Sequence, residues 1–132
     1  MKAFYSAVFR EKEGTVFAEV PDLPGCVTSG KDLSSAMDLI ADAASGYLVV
    51  AEDEGLPIPS PTPQEALPLA PGNVVSLIRI DTVAYRAATD TRAVRKNVSL
   101  PRWMANLADK RGLNCSKILQ DSLIREFNAR QA

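Results

Sequence analysis

With 132 residues, 46% of them apolar and 23% charged, the chain has material for one ordinary domain or two very small ones. It contains no histidine, which removes the commonest general base, Ser-His and Cys-His nucleophilic pairs, and most zinc sites. The overall charge of −1 conceals a split: Met1–Tyr85 holds 5 Lys/Arg against 12 Asp/Glu, a net of −7, while Arg86–Ala132 holds 10 against 4, a net of +6. Such asymmetry implies two units with different partners, and an anionic partner for the second.

Cys26 and Cys115 lie too far apart in sequence for a CxxC clamp and are expected as free thiols in a reducing cytosol. The short apolar run Ala3–Phe9 is followed at once by Arg10-Glu11-Lys12-Glu13, unlike a signal peptide. No segment is expected to approach the roughly 20 apolar residues that a membrane span needs. The expectation is a cytoplasmic protein with no membrane partner.

In chain order, Lys2–Arg10 and Thr15–Val20 predict two strands joined at Glu13-Gly14, a hairpin pattern. Pro21-Asp22-Leu23-Pro24-Gly25 forces a tight loop, and Cys26–Ser29 predicts a short third strand. From Leu33 the period changes: Leu33, Ala36/Met37, Ile40, Ala43/Ala44, Tyr47/Leu48 and Ala51 recur every three or four residues, giving one apolar helix face. Asp32 suits the N-cap and Gly55 the stop. Glu52-Asp53-Glu54 opposes the helix dipole there and is expected as a solvated end. Residues 55–72 hold six of the nine prolines and predict an extended connection. Asn73–Ile80 predicts a strand that pairs with the first sheet. The first unit, residues 1–81, is thus a small sheet with one helix across it. Residues 82–93 lack clear periodicity and are expected as a linker.

The chemistry sits in the second unit, residues 94–132, chiefly Val94–Phe127. Val94, Val98 and Leu100 alternate with Arg95, Asn97 and Ser99, as on a strand with one apolar face. Pro101 opens a helix in which Trp103/Met104, Leu107/Ala108 and Arg111 share a face, with Trp103 expected in the core. Gly112 closes that helix, and Asn114 caps a second with the stripe Ile118/Leu119, Leu123 and Phe127. One strand and two amphipathic helices bury too little surface to fold alone. Two copies solve this, with their strands paired antiparallel across a two-fold axis and four helices sharing a core. A two-stranded ribbon fits the DNA major groove, where Arg95 suits guanine, Asn97 adenine, and Ser99 is permissive. The amides of Asn114, Cys115 and Ser116 at a helix start can hold a phosphate. The alternative for Arg95, Asn97 and Ser99 is a solvated strand face on a purely protein-binding dimer. For Asn114, Cys115 and Ser116 it is a plain helix cap.

This segment resembles the ribbon-helix-helix DNA-binding domain in its pattern basic-x-Asn-Val-x-Leu-Pro, helix, Arg-Gly-Leu-Asn-x-Ser, helix. Lys96 stands where that family usually has an apolar residue facing the core, and its stem can snorkel. In the first unit, Tyr-x-Ala-x-Phe, the loop Pro21–Gly30, the Ala-rich helix and the Ile58–Pro61 stretch resemble the HicB antitoxin N-terminal domain. Lys31-Asp32-Leu33-Ser34-Ser35-Ala36 departs from the Asp-Thr-x-Glu-Glu-Ala more usual there. The resemblance implies an α+β chain: a partial RNase H-like N-terminal domain of HicB type, then a dimeric ribbon-helix-helix domain. It implies a HicA-type toxin, an mRNA-cleaving nuclease, as partner. The net −7 suits a basic, RNA-binding protein of that kind.

An RNase H-like fold raises the prospect of nuclease activity, which needs several carboxylates converging on divalent metals. Glu19 and Asp22 are sparse for that, and Asp38 and Asp42 form only a helical i, i+4 pair. The expectation is therefore a non-enzymatic antitoxin, with no catalytic residue, metal or cofactor. It binds a toxin through its first unit and operator DNA through its second, as a homodimer or tetramer. The sequence also accommodates a stand-alone transcriptional regulator whose first unit senses a ligand or oligomerises.

Overall fold

A computed structural model of the chain describes residues 1–129. The last three residues of the expected C-terminal domain lie outside them. The chain forms two compact units, Met1–Ala88 and Thr89–Ala132.

In the first unit, β1 (Lys2–Lys12) turns through Glu13 (φ 52°) and Gly14 (φ 80°) into β2 (Thr15–Glu19). Two successive positive φ angles make the two-residue turn whose twist matches the flanking strands. Lys12 pairs with Thr15 across it. The loop after β2 is closed by three backbone bonds of 3.0 Å: Val20 amide to Cys26 carbonyl, Leu23 to Val20, and Cys26 to Leu23. Leu23 is buried beneath it. β3 (Val27–Gly30) leads into α1 (Leu33–Glu54). The corner between them is tight: a Cβ on Gly30 would lie 2.6 Å from the Ala36 amide nitrogen. Asp32 caps α1 as expected, accepting from the Ser35 amide at 2.8 Å, and these bonds hold its carboxyl below the usual carboxylate range. Gly55 ends the helix in the left-handed conformation.

β4 (Val74–Asp81) completes an antiparallel sheet of order β3-β2-β1-β4. β1 is the organising strand because it is long enough to pair along both edges, Lys2–Phe9 with β4 and Val8–Lys12 with β2. Side chains alternate across a strand. Tyr5, Ala7 and Phe9 therefore share a face with Val16, Ala18, Ile78 and Ile80. That face meets Ala36, Ile40, Ala44 and Leu48 of α1 in one buried core. The proline-rich connection is tied to this scaffold at two points. Tyr5 Oη donates to the Pro59 carbonyl at 2.6 Å, and Asp22 accepts from the Thr62 amide (2.8 Å) and hydroxyl (2.6 Å). Burial, then the nearby Asp22 charge, pushes the Tyr5 phenol up.

Three expectations are corrected in this unit. Residues 82–93, expected as a linker, begin with a helix, α2 (Thr82–Thr89), whose start is held by Asp81 accepting from the Ala84 amide at 3.0 Å. Asp81 thus does for α2 what Asp32 does for α1. The acidic end of α1, expected to be solvated, is a docking point. Arg86 of α2 reaches Asp53 at 2.8 Å and Glu52 at 3.4 Å, and the Met1 amine reaches Glu52 at 3.3 Å. Two cations on the last turn relieve the clash between those acids and the negative helix end. Finally, α1 has 22 residues and a stretch of mean hydropathy 1.2, long and apolar enough by composition to cross a membrane. Its buried stripe packs on the sheet as a core helix does.

In the second unit, residues 90–101 have no regular secondary structure, although Val94–Leu100 was expected as a strand. A strand is defined by its ladder, and that segment was expected to find its partner on a second copy. α3 (Arg102–Lys110) and α4 (Cys115–Ala129) follow the predicted pattern. Between them the Gly112 amide donates to the Asp109 carbonyl at 3.1 Å and the Leu113 amide to Ala108 at 3.0 Å. This paired closure satisfies carbonyls that the helix leaves free.

Two substitutions check the scaffold by urea unfolding. Gly30→Ala drives a methyl into the first turn of α1 and should destabilise by about 1–3 kcal/mol. Asp22→Ala strands the Thr62 amide and hydroxyl and should destabilise by about 1–2 kcal/mol.

Candidate functional site

In the second unit, none of the described residues of α3 and α4 is buried. Trp103, expected in a core, is 64% exposed, and Val94 is 92% exposed. Met104, Leu107, Ile118, Leu123 and Phe127 are exposed along the predicted stripes. So many large apolar side chains on about forty residues exceed what a monomer surface ordinarily carries.

The sequence-predicted polar residues divide into two groups. Arg95, Asn97 and Ser99 all lie exposed in the irregular stretch before α3. Asn114, Cys115 and Ser116 cluster at the start of α4. There the Asn114 side chain accepts from the Lys117 amide at 3.0 Å, and its carbonyl from the Ile118 amide at 3.1 Å. Capping consumes the third amide of the helix, while those of Cys115 and Ser116 precede the first intrahelical bond. All three residues are exposed, so this helix start can receive an anion. From Thr89 onward the charge is 9 Lys/Arg against 4 Asp/Glu, a net of +5.

The first unit presents a second surface that sequence reasoning did not single out. On the sheet face away from α1, Phe4, Phe17, Val27 and Leu77 are exposed. Arg10 lies opposite Phe17 in the register, with its guanidinium 5.5 Å from the ring centroid. A groove of about 600 Å³ opens here, floored by Val8, Phe17 and Val27 and rimmed by Arg10, Glu19, Ser29 and Asn73. A second groove, of about 410 Å³, lies by α1 and is lined by Val27, Ala43, Tyr47, Val50, Leu56 and Pro57 among others. The available signal was alternation: Phe4 and Phe17 fall on the opposite face from Tyr5, Phe9, Val16 and Ala18. Among the described residues, no group of three or more His, Cys, Asp or Glu is arranged to hold a metal ion. Asp22 is engaged with Thr62, while Asp38 and Asp42 lie exposed on α1.

The first unit is thus an acidic sheet-and-helix module with surface grooves, and the second a basic helical unit whose apolar stripe is exposed. The chain belongs to the family of HicB-like antitoxins of bacterial toxin-antitoxin systems, whose model matches residues 5–119. No curated protein matches it. Among solved structures it is similar to a chain of a toxin–antitoxin complex from Streptococcus pneumoniae, at 20% identity and TM-score 0.61, over 96% of this chain and 99% of that one. It is similar to the antitoxin HicB of Burkholderia pseudomallei at 21% identity and TM-score 0.54, over 97% and 98%. A chain of a HicA3 and HicB3 toxin–antitoxin complex matches at 20% identity and TM-score 0.51, over 60% of this chain and 99% of that one. At these identities the likeness is one of fold, an α+β architecture shared with HicB-type structures.

The two thiols provide a direct check on the site. Burial pushes the Cys26 thiol up, whereas Cys115 is exposed beside the cap of α4. A thiol reagent should label Cys115 quickly in the folded protein and Cys26 only after denaturation. Two equally fast thiols under native conditions would contradict the packing of the Pro21–Cys26 loop.

Proposed function

We propose that this antitoxin acts at two levels: its first unit binds and neutralises a HicA-type toxin, and its second unit, as a paired ribbon-helix-helix dimer, represses its own operon. The exposed apolar stripe of α3 and α4 carries the second half of this reading. A second copy, with the Val94–Leu100 segments paired antiparallel, gives those residues a core and gives the segment a ladder. Such pairing sets Arg95, Asn97 and Ser99 from both copies on one polar surface sized for a major groove. The capped starts of the two α4 helices then supply phosphate contacts through Asn114, Cys115 and Ser116.

The first half rests on the family and on charge. Residues Met1–Ala88 hold 6 Lys/Arg against 12 Asp/Glu, a net of −6, which suits a basic, RNA-cleaving partner and speeds encounter with it. Neutralisation is by occlusion: the bound antitoxin excludes mRNA from the nuclease and requires no catalytic group of its own. Toxin occupancy of one unit then alters how dimers assemble on an operator through the other.

Gel shifts across a salt series test the DNA half. Affinity should fall steeply with salt as counterions are released, and Asn97→Ala should remove about 1–3 kcal/mol of discrimination per contact while the dimer persists. Toxin neutralisation should survive Asn97→Ala. Salt-insensitive behaviour, or a chain that sediments as a folded monomer at all concentrations, would overturn this half.

A further inference from the structure

β3 is an edge strand, and the two grooves described above meet at it, one on each side of the sheet, with Val27 lining both. Its unused hydrogen-bonding groups can be assigned from the ladder. β3 runs antiparallel to β2, with Glu19 opposite Val27, Ala18 opposite Thr28, Phe17 opposite Ser29 and Val16 opposite Gly30. One step further along the same register, the Val20 amide donates to the Cys26 carbonyl at 3.0 Å. Hydrogen-bonded pairs alternate with non-bonded ones in an antiparallel ladder. The pairs of Thr28 and Gly30 therefore bond inward to β2, while the amides and carbonyls of Val27 and Ser29 point outward from the sheet. Val27 is 63% exposed and Ser29 is also exposed.

A free row of backbone groups flanked on both faces by pockets is the geometry that accepts an added strand. Main-chain bonds then supply affinity, and pockets for alternate side chains supply selectivity. We propose that the edge of β3 takes an extended segment of the toxin as a fifth strand, an inference that rests on the toxin-binding role proposed above. Its alternate residues enter the two grooves. Those on the α1 side meet Ala43, Tyr47, Val50 and Leu56, an aliphatic lining. Those on the other side meet Val8 and Phe17 below a rim that includes Glu19.

Charge selects this occupant over a second copy of the chain. Glu19 rims the first groove, and Glu54 continues the Ala43–Tyr47–Val50 stripe beside the second at helical spacing. Neither carboxylate forms an ion pair among the described residues. Arg10, the cation on the same rim, is placed over the Phe17 ring. A segment with aliphatic residues in alternation and Lys or Arg flanking them satisfies both carboxylates, within a unit of net charge −6. A second copy would instead bring another unit of net charge −6 to the same edge and no surplus of cations for these carboxylates.

Titration calorimetry of the full-length chain with an inactivated HicA-type toxin tests this. Ser29→Pro removes one outward amide and leaves the inward ladder intact. Val27→Glu places a third carboxylate between the grooves as an independent check. Each variant should weaken binding by at least about tenfold. In the unaltered chain, hydrogen exchange at the Val27 and Ser29 amides should slow on adding toxin, which reads the contact even if a variant folds poorly. Unaltered toxin affinity in a folded Ser29→Pro chain, with exchange at both amides unchanged, overturns the β3 proposal and leaves the antitoxin role standing. Protection of those amides in the toxin-free chain that grows with its concentration assigns the edge to a second copy and also overturns the proposal. No binding of the unaltered chain removes the toxin-binding role itself, and the proposal with it.

Discussion

An apolar stripe that a single chain does not bury governs the second unit. α3 and α4 are too short to persist as isolated helices in water, and propensity contributes little at 9 and 15 residues. Two of their ends are nonetheless capped, with Asn114 opening α4 and the Gly112–Leu113 closure ending α3. Local signals thus mark the start of α4 and the end of α3, while none of the described residues of either helix is buried within the single chain. In the dimer proposed above, folding and association are the same event, so the stability of the unit would depend on concentration.

The first unit solves the opposite problem. β1 pairs along both of its edges, which places Tyr5, Ala7 and Phe9 at the centre of a core closed by one long helix. That economy leaves the sheet with two free edges and a second face that still displays Phe4, Phe17 and Val27. A small α+β module of this kind is stable because one face is well packed, and it remains available for recognition because the other is not. The negative balance of the unit adds long-range attraction for a basic partner, and the grooves beside β3 add shape.

Much of this was legible in the residues. The four strands, the cap at Asp32, the stop at Gly55 and both C-terminal helices follow from alternation, helical periodicity and Gly/Pro punctuation. α2 was not. Its eight residues span barely two turns, too few for a periodic pattern, and the helix is secured by Arg86 meeting Asp53 across 33 positions of sequence. The docking role of Glu52 and Asp53 was hidden for the same reason, since a partner so far along the chain leaves no local mark. The β3 grooves were half legible. Phe17 is out of phase with the buried Val16 and Ala18, but the depth of a groove depends on strand order, which a sequence does not print. Arg95, Asn97 and Ser99 were legible as residue types in a spacing, but they lie in a stretch without regular secondary structure, so alternation alone did not fix a shared surface.

The clasp between Arg86 and the end of α1 changes what counts as the first domain. A cut after Asp81, where the sequence pattern first falters, would leave Glu52, Asp53 and Glu54 crowded at the negative pole of a 22-residue helix with only the Met1 amine to offset them. It would also remove Thr82, which is buried against the chain's first residue. The compact unit runs to Ala88, and a fragment trimmed after Asp81 would inherit an electrostatic fault that the intact protein does not have.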